Sequence, residues 1–118
     1  MLRAVILGTA ALAAAALLAL PVLAAPSAQT IRVSEKSYRI SLSAKPRAGT
    51  ARFVVRNAGD DGHDFWLKGG GKTWKTRVLA GGGTASLTAK LKTGVRYRFW
   101  CGVSDHAEEG MRGSFVAR

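Results

Sequence analysis

The chain has a single cysteine, Cys101, and only two histidines, His63 and His106, in 118 residues. One cysteine cannot close an internal disulfide, so no covalent staple holds the fold; the thiol is left as an intermolecular bridge, a liability or a ligand. Acidic residues are scarce as well, 7 against 18 lysines and arginines, for a formal net charge of +11. Such a bias attracts anionic surfaces in general. The basic residues nevertheless form no run of the kind that tracks a phosphate backbone, and no nucleic-acid partner is expected. The glycine triplets at 69–71 and 81–83 lack a following Lys-Ser/Thr and a helix start, which excludes a phosphate-cradling loop and leaves turns. Beyond residue 28 no stretch carries a helical apolar stripe, and there is no internal repeat.

Charge is also missing from one whole segment, since none occurs between Arg3 and Arg32. An Ala/Leu/Val run over 4–20, then Pro21 and Val22-Leu23-Ala24, reads as a secretory signal helix cleaved after about Ala24. Residues 1–24 are thus assigned to the signal and 29–118 to the folded domain. An uncleaved anchor is the alternative, because the run is nearly long enough to span a bilayer, and membrane association is expected only in that case. Ala richness and the helix-breaking Pro21 favour cleavage, and hence a periplasmic or secreted protein. No cysteine lies near the cleavage region, so lipid attachment there is excluded. About 94 residues remain, enough for one domain with a modest core, expected to be a monomer.

What the chain does have is gathered at its end. Val95, Tyr97, Phe99 and Cys101 share one parity while Arg96 and Arg98 take the other, so the thiol leaves the inward face of a strand at its end. Cys101, His106 and Met111 then follow at equal steps of five, a spacing that scatters them round a helix and onto alternating faces of a strand. They converge only on a curled loop, and Gly102 and Gly110 flank the segment that carries His106. A thiolate, imidazoles and a thioether favour copper, and two histidines with one cysteine and a weak axial methionine make an electron-transfer site. The second imidazole falls to His63, which shares its parity with Phe65 and Leu67. Four metal-ligating candidates result: His63, Cys101, His106 and Met111.

These residues resemble those of the cupredoxins, the small blue (type 1) copper proteins of the plastocyanin and azurin type. The resemblance covers nearly all of the chain after the signal. It rests on an Asn-x-Gly turn (Asn57 to Gly59) leading to His63, a Leu-x-Gly turn before an alternating strand (Leu79 to Leu91), and the tail Tyr-x-Phe-x-Cys, His, Gly-Met. Cys-x4-His-x4-Met is a long form of the family's ligand loop. Asp64 stands where the family often has Asn after the first histidine, and Asp105 where it often has Pro before the second. The single cysteine also excludes the two-cysteine binuclear copper site of some relatives. What the resemblance implies is a two-sheet antiparallel Greek-key sandwich, all-β, holding one copper per chain that alternates between Cu(I) and Cu(II).

Eight short strands separated by Gly-rich turns fit that expectation: 29–33, 38–42, 51–56, 63–68, 74–80, 85–91, 95–101 and 112–117, with a flexible break at 69–71. Removing the leader with Arg3 takes the 18 basic residues to 17 against the same 7 acidic ones, a net of +10. Six of the seven acids, Asp60, Asp61, Asp64, Asp105, Glu108 and Glu109, lie within five residues of His63 or His106, and only Glu35 lies elsewhere. Polar loops collect carboxylates in any protein; a sharper reading is an acidic metal end that docks a basic patch on a redox-protein partner. Two functions follow from the ligand set. One is an exported one-electron carrier between redox proteins; the other is a copper-binding or delivery protein in copper homeostasis, its carboxylates concentrating the ion. A metal-free structural sandwich is the third possibility. No enzymatic activity is expected, because four protein ligands leave no open position for a substrate. Trp100 adjoins Cys101 with outward parity and is expected at the surface or in a secondary core.

Overall fold

The structure is a computed structural model that describes residues 1–22 and 28–118. Residues 1–22 are exposed and carry no regular secondary structure, so the expected signal helix is not formed there; the cleavage point after Ala24 lies outside the described residues. Helices in proteins are held chiefly by burying an apolar face, and this segment buries none. No helix among the described residues is long and apolar enough to cross a membrane.

The remainder is built from eight strands: β1 (Gln29–Lys36), β2 (Arg39–Leu42), β3 (Gly49–Asn57), β4 (Trp66–Gly69), β5 (Lys72–Lys75), β6 (Thr84–Leu91), β7 (Arg96–Trp100) and β8 (Arg112–Val116). They form two four-stranded sheets, ordered β2-β1-β3-β6 and β5-β4-β7-β8. Period-two patterning drives this arrangement, because alternate side chains leave opposite faces of a strand. In β3, Ala51, Phe53, Val55 and Asn57 are buried, while Thr50, Arg52 and Arg56 face solvent. In β7, Tyr97 and Phe99 point inward between Arg96 and Arg98. The two inner faces meet in an aromatic layer in which Phe53 packs on Phe65 and Phe115, and Phe65 on Phe99, with ring centroids 5.8–6.4 Å apart. Tyr97 also accepts the Lys92 backbone N–H at 2.8 Å through its hydroxyl, so its buried polar tip is satisfied.

Three local expectations are corrected. The sheets are not wholly antiparallel, because β1 and β3 pair in parallel, Ile31 opposite Phe53 and Glu35 opposite Asn57. Parallel neighbours need a long connection, and the excursion through β2 supplies it. The glycine triplet is no flexible break but part of a tight hairpin. Gly69 pairs with Lys72, and Gly70 and Gly71, at φ of 57° and 76°, form the two-residue turn whose twist matches antiparallel strands. The strands it joins end earlier than the sequence pattern predicts at the side away from the turn. β4 begins at Trp66 rather than His63, and β5 ends at Lys75, so that His63 and Leu79 meet only in an isolated antiparallel bridge.

Candidate metal centre

The site lies where two irregular segments close one end of the sandwich. His63 is gripped by its backbone: its N–H donates to Leu79 O at 3.0 Å and its C=O accepts from Leu79 N–H at 2.6 Å. Asn57, buried at the end of β3, holds the approach. Its Nδ2 donates to Asp61 O (2.6 Å) and Leu79 O (2.8 Å), and its Oδ1 accepts from Gly59 N–H (3.0 Å). The Asn-x-Gly turn of the sequence is therefore a hydrogen-bonded frame for the histidine. Asp64 ties this segment to the one after β7, its Oδ1 accepting from Gly102 N–H at 2.6 Å and its Oδ2 from Trp66 Nε1–H at 3.0 Å. Where the family often carries Asn, this carboxylate makes both bonds as an acceptor.

Cys101 to Met111 curls as the five-residue spacing requires. Cys101 N–H donates to Met111 O (3.0 Å), closing the mouth of the loop, and Met111 N–H donates to His106 O (3.0 Å). Within it, His106 N–H donates to Val103 O and Gly110 N–H to Ala107 O. Gly110 sits at φ 128°, a conformation that side chains disfavour, and lets the chain re-enter the core at Met111.

The result brings three donors to one point. His63 Nδ1 and His106 Nδ1 are 3.1 Å apart, and Cys101 Sγ lies 3.8 and 3.7 Å from them. A point equidistant from these three atoms is about 2.1 Å from each, against metal bonds of about 2.0–2.1 Å to imidazole and 2.3 Å to thiolate in protein zinc sites. The donor set thus fits a metal ion by distance as well as by chemistry. His63 and Cys101 are fully buried and His106 is 8% exposed. Met111 is also fully buried, and its backbone is bonded to both Cys101 and His106.

Burial dominates the electrostatics. It pulls His63 below the ordinary imidazole value, helped by His106 and opposed by Asp61 and Asp64, so this ring is neutral at pH 7. It pushes the Cys101 thiol up; the Val103 and Asp64 backbone amides oppose, and the charges of Asp64 and Glu35 reinforce. Without metal the thiol keeps its proton.

Three residues near this centre escaped the sequence reading. Ser37 Oγ lies 3.4 Å from His63 Nε2, and Tyr38 meets the His106 ring edge-on with centroids 5.4 Å apart. Both sit in the turn between β1 and β2, and nothing local marks them. Glu35, read as the acid apart from the others, is fully buried at the same end of the sandwich, where its charge acts on Cys101 and Asp64 adds to it. Its signal was available, since it continues the inward parity of Ile31 and Val33. Trp100 is half-buried and stacks on Trp66, centroids 5.7 Å apart and planes 16° off parallel, with Lys75 Nζ 4.8 Å from the Trp66 ring.

No protein-family model and no curated protein matches the sequence. Solved structures do. A dithionite-reduced auracyanin from the photosynthetic bacterium Roseiflexus castenholzii shares 17% identity over 79% of this chain and 99% of its own, with a TM-score of 0.65. Auracyanin B gives 18% identity over 82% and 94%, with a TM-score of 0.65. A reduced Cu(I) amicyanin variant aligns with a TM-score of 0.45 at 20% identity, over 80% and 86%. Two four-stranded sheets in this order, closed at one end by a His-Cys-His cluster and matched along nearly the whole length of both auracyanins, give the domain the cupredoxin fold.

Proposed function

We propose that the protein is an exported type 1 copper protein that carries single electrons between redox proteins, binding one copper per chain through His63, Cys101, His106 and Met111. The observation that carries this reading is the buried triangle of two imidazole nitrogens and one sulfur, its edges 3.1, 3.7 and 3.8 Å. Copper held there supplies a one-electron couple.

The chain's own residues do the rest. Cys101 releases its Sγ proton on binding the ion, and His63 needs to release none, being already neutral. Asp64 and Asn57 fix the two donor segments to the sandwich, so the donors are arranged before the ion arrives and move little when its charge changes. Met111 would supply the fourth, thioether donor to the bound ion. Near-complete burial of the trio excludes water and slows release, which favours an electron carrier over a delivery protein.

In the mature protein residues 1–24 are removed, and the domain from 29 acts outside the cytoplasm as a monomer. The carboxylates around the site orient a basic patch on the partner, and the association rate falls as salt rises. The test is a Cu(II) titration of the chain lacking residues 1–24, followed by visible absorption. An intense blue band saturating at one equivalent, and absent in Cys101→Ser, is the expected outcome. A Cys101→Ser variant that stays intensely blue overturns the assignment.

A further inference from the structure

We propose that Ser37 and Asp61 are positioning residues that set the tautomer of His63 and so present its Nδ1, unprotonated, to the metal. This rests on His63 being a ligand as proposed above. Ser37 Oγ–H donates to Asp61 Oδ2 at 3.0 Å, and the same oxygen lies 3.4 Å from His63 Nε2. A serine hydroxyl has one proton, and an ionised carboxylate only accepts. Once that proton is directed at Asp61, the Ser37 oxygen faces the imidazole with a lone pair and takes a hydrogen bond only from Nε2–H. A neutral ring with its proton on Nε2 has a bare Nδ1.

The geometry supports each link. Asp61 is presented by the loop that Asn57 pins through Asp61 O. Ser37 belongs to the turn leaving β1, whose neighbour Glu35 accepts the Ala58 N–H through its carbonyl at 2.8 Å, joining the two segments. The His63 backbone is fixed on both sides by Leu79, so rotation and protonation of the ring are the remaining freedoms. The relay removes both. It also gives the 3.1 Å contact between the two Nδ1 atoms a direction in the metal-free protein: His106 donates and His63 accepts. Metal-bound histidines generally give their second nitrogen to an acceptor that orients the ring, and losing that acceptor weakens metal binding about 10- to 100-fold. Here the acceptor is a hydroxyl polarised by a carboxylate. Asp61 stands two positions before His63, but Ser37 is 26 positions from it, and nothing local in the sequence joins the two.

The experiment uses the 15N-labelled chain lacking residues 1–24. Long-range 1H–15N spectra of the metal-free protein at pH 7.5 read the His63 tautomer, and competition against a chelator reads Cu(II) affinity. The unaltered chain is expected to hold His63 in the Nε2–H form alone. Ser37→Ala should give a mixture of tautomers and bind Cu(II) about tenfold or more weakly. Asp61→Ala frees the hydroxyl to donate to Nε2, which drives the ring toward the Nδ1–H form and weakens copper at least as much. Ser37→Thr and Asp61→Asn keep a hydroxyl and an acceptor oxygen, and should restore the Nε2–H form. Ser37 and Asp61 are exposed, so none of these changes disturbs the core. Ser37→Ala and Asp61→Ala chains that keep a single Nε2–H tautomer, or that bind copper as tightly as the unaltered chain, overturn the proposal. Failure of the unaltered chain to bind copper overturns the ligand assignment instead, and the metal-free tautomer still decides the relay.

Discussion

Glu35 offers a direct measurement of what burial does to this protein. Its carboxyl is fully enclosed at the end of β1, and neither oxygen has a hydrogen-bond partner. Burial, with the charge of Asp64 in second place, pushes its pKa up from 4.5 to about 8. In the unfolded chain the group ionises near 4.5, so between that value and about 8 the folded state holds a proton that the unfolded state has lost. Stability must then fall as pH rises through this window, by about 1.4 kcal/mol per pH unit from this group alone, and level off above it. The full span amounts to roughly 5 kcal/mol, a large share of what a domain of this size has. Glu35→Gln keeps the shape and removes the ionisation, at a cost of about 1–3 kcal/mol for an unpartnered amide N–H2 that does not vary with pH. Urea unfolding of the two metal-free chains, with the thiol kept reduced, should therefore show curves that cross. Near pH 5 the wild type is the more stable; by pH 8 to 9 Glu35→Gln is, by roughly 2–4 kcal/mol. A difference between the two chains that stays constant from pH 5 to 9 would refute the reasoning.

Other consequences are as specific. Because the Cys101 thiol is protonated and His63 neutral in the metal-free protein at pH 7, copper uptake should release about one proton per ion, and log affinity should rise by about one per pH unit above neutrality. Calorimetry in buffers of different ionisation enthalpy reads that number directly. Met111→Leu removes the thioether proposed here as a donor to the oxidised ion, so the blue colour should persist while the reduction potential moves upward, as voltammetry would show. Gly113→Ala places a methyl group against the Phe99 ring across the β7–β8 pair, and should cost about 1–3 kcal/mol in urea unfolding without altering the absorption band.

The parts of this fold that obey a period are legible in the sequence. Alternation in β1, β3, β6 and β7 gives the inner faces correctly, and the parity of Cys101 places the thiol inside. The equal spacing of Cys101, His106 and Met111 demanded a curled loop, which the Cys101–Met111 and Met111–His106 backbone bonds supply. What was missed depends on partners remote in sequence. The parallel pairing of β1 with β3 is a choice of neighbour that alternation does not encode. The turn at Gly70 and Gly71 is a matter of φ signs, and two adjacent glycines permit either a tight reversal or a loose one. Glu35 lies far along the chain from the other acids and from both histidines, and only its parity with Ile31 and Val33 points it inward. Ser37 reaches His63 only through a hairpin whose register no single segment specifies.

The hydrogen bond from Cys101 N–H to Met111 O has a consequence for how such a protein can change over generations. It fastens the two ends of the donor loop to each other at the rim of β7 and β8, so the nine positions from Gly102 to Gly110 hang from a closed gate and meet the rest of the sandwich through Gly102, against Asp64, and through His106, against His63 and Tyr38. Loop closure depends only weakly on length. Insertions, deletions and exchanges inside that gate therefore alter the setting of His106 and the chemistry of the centre while the aromatic layer between the sheets is left as it was. Variation in function and conservation of architecture are assigned to separate stretches of one short chain.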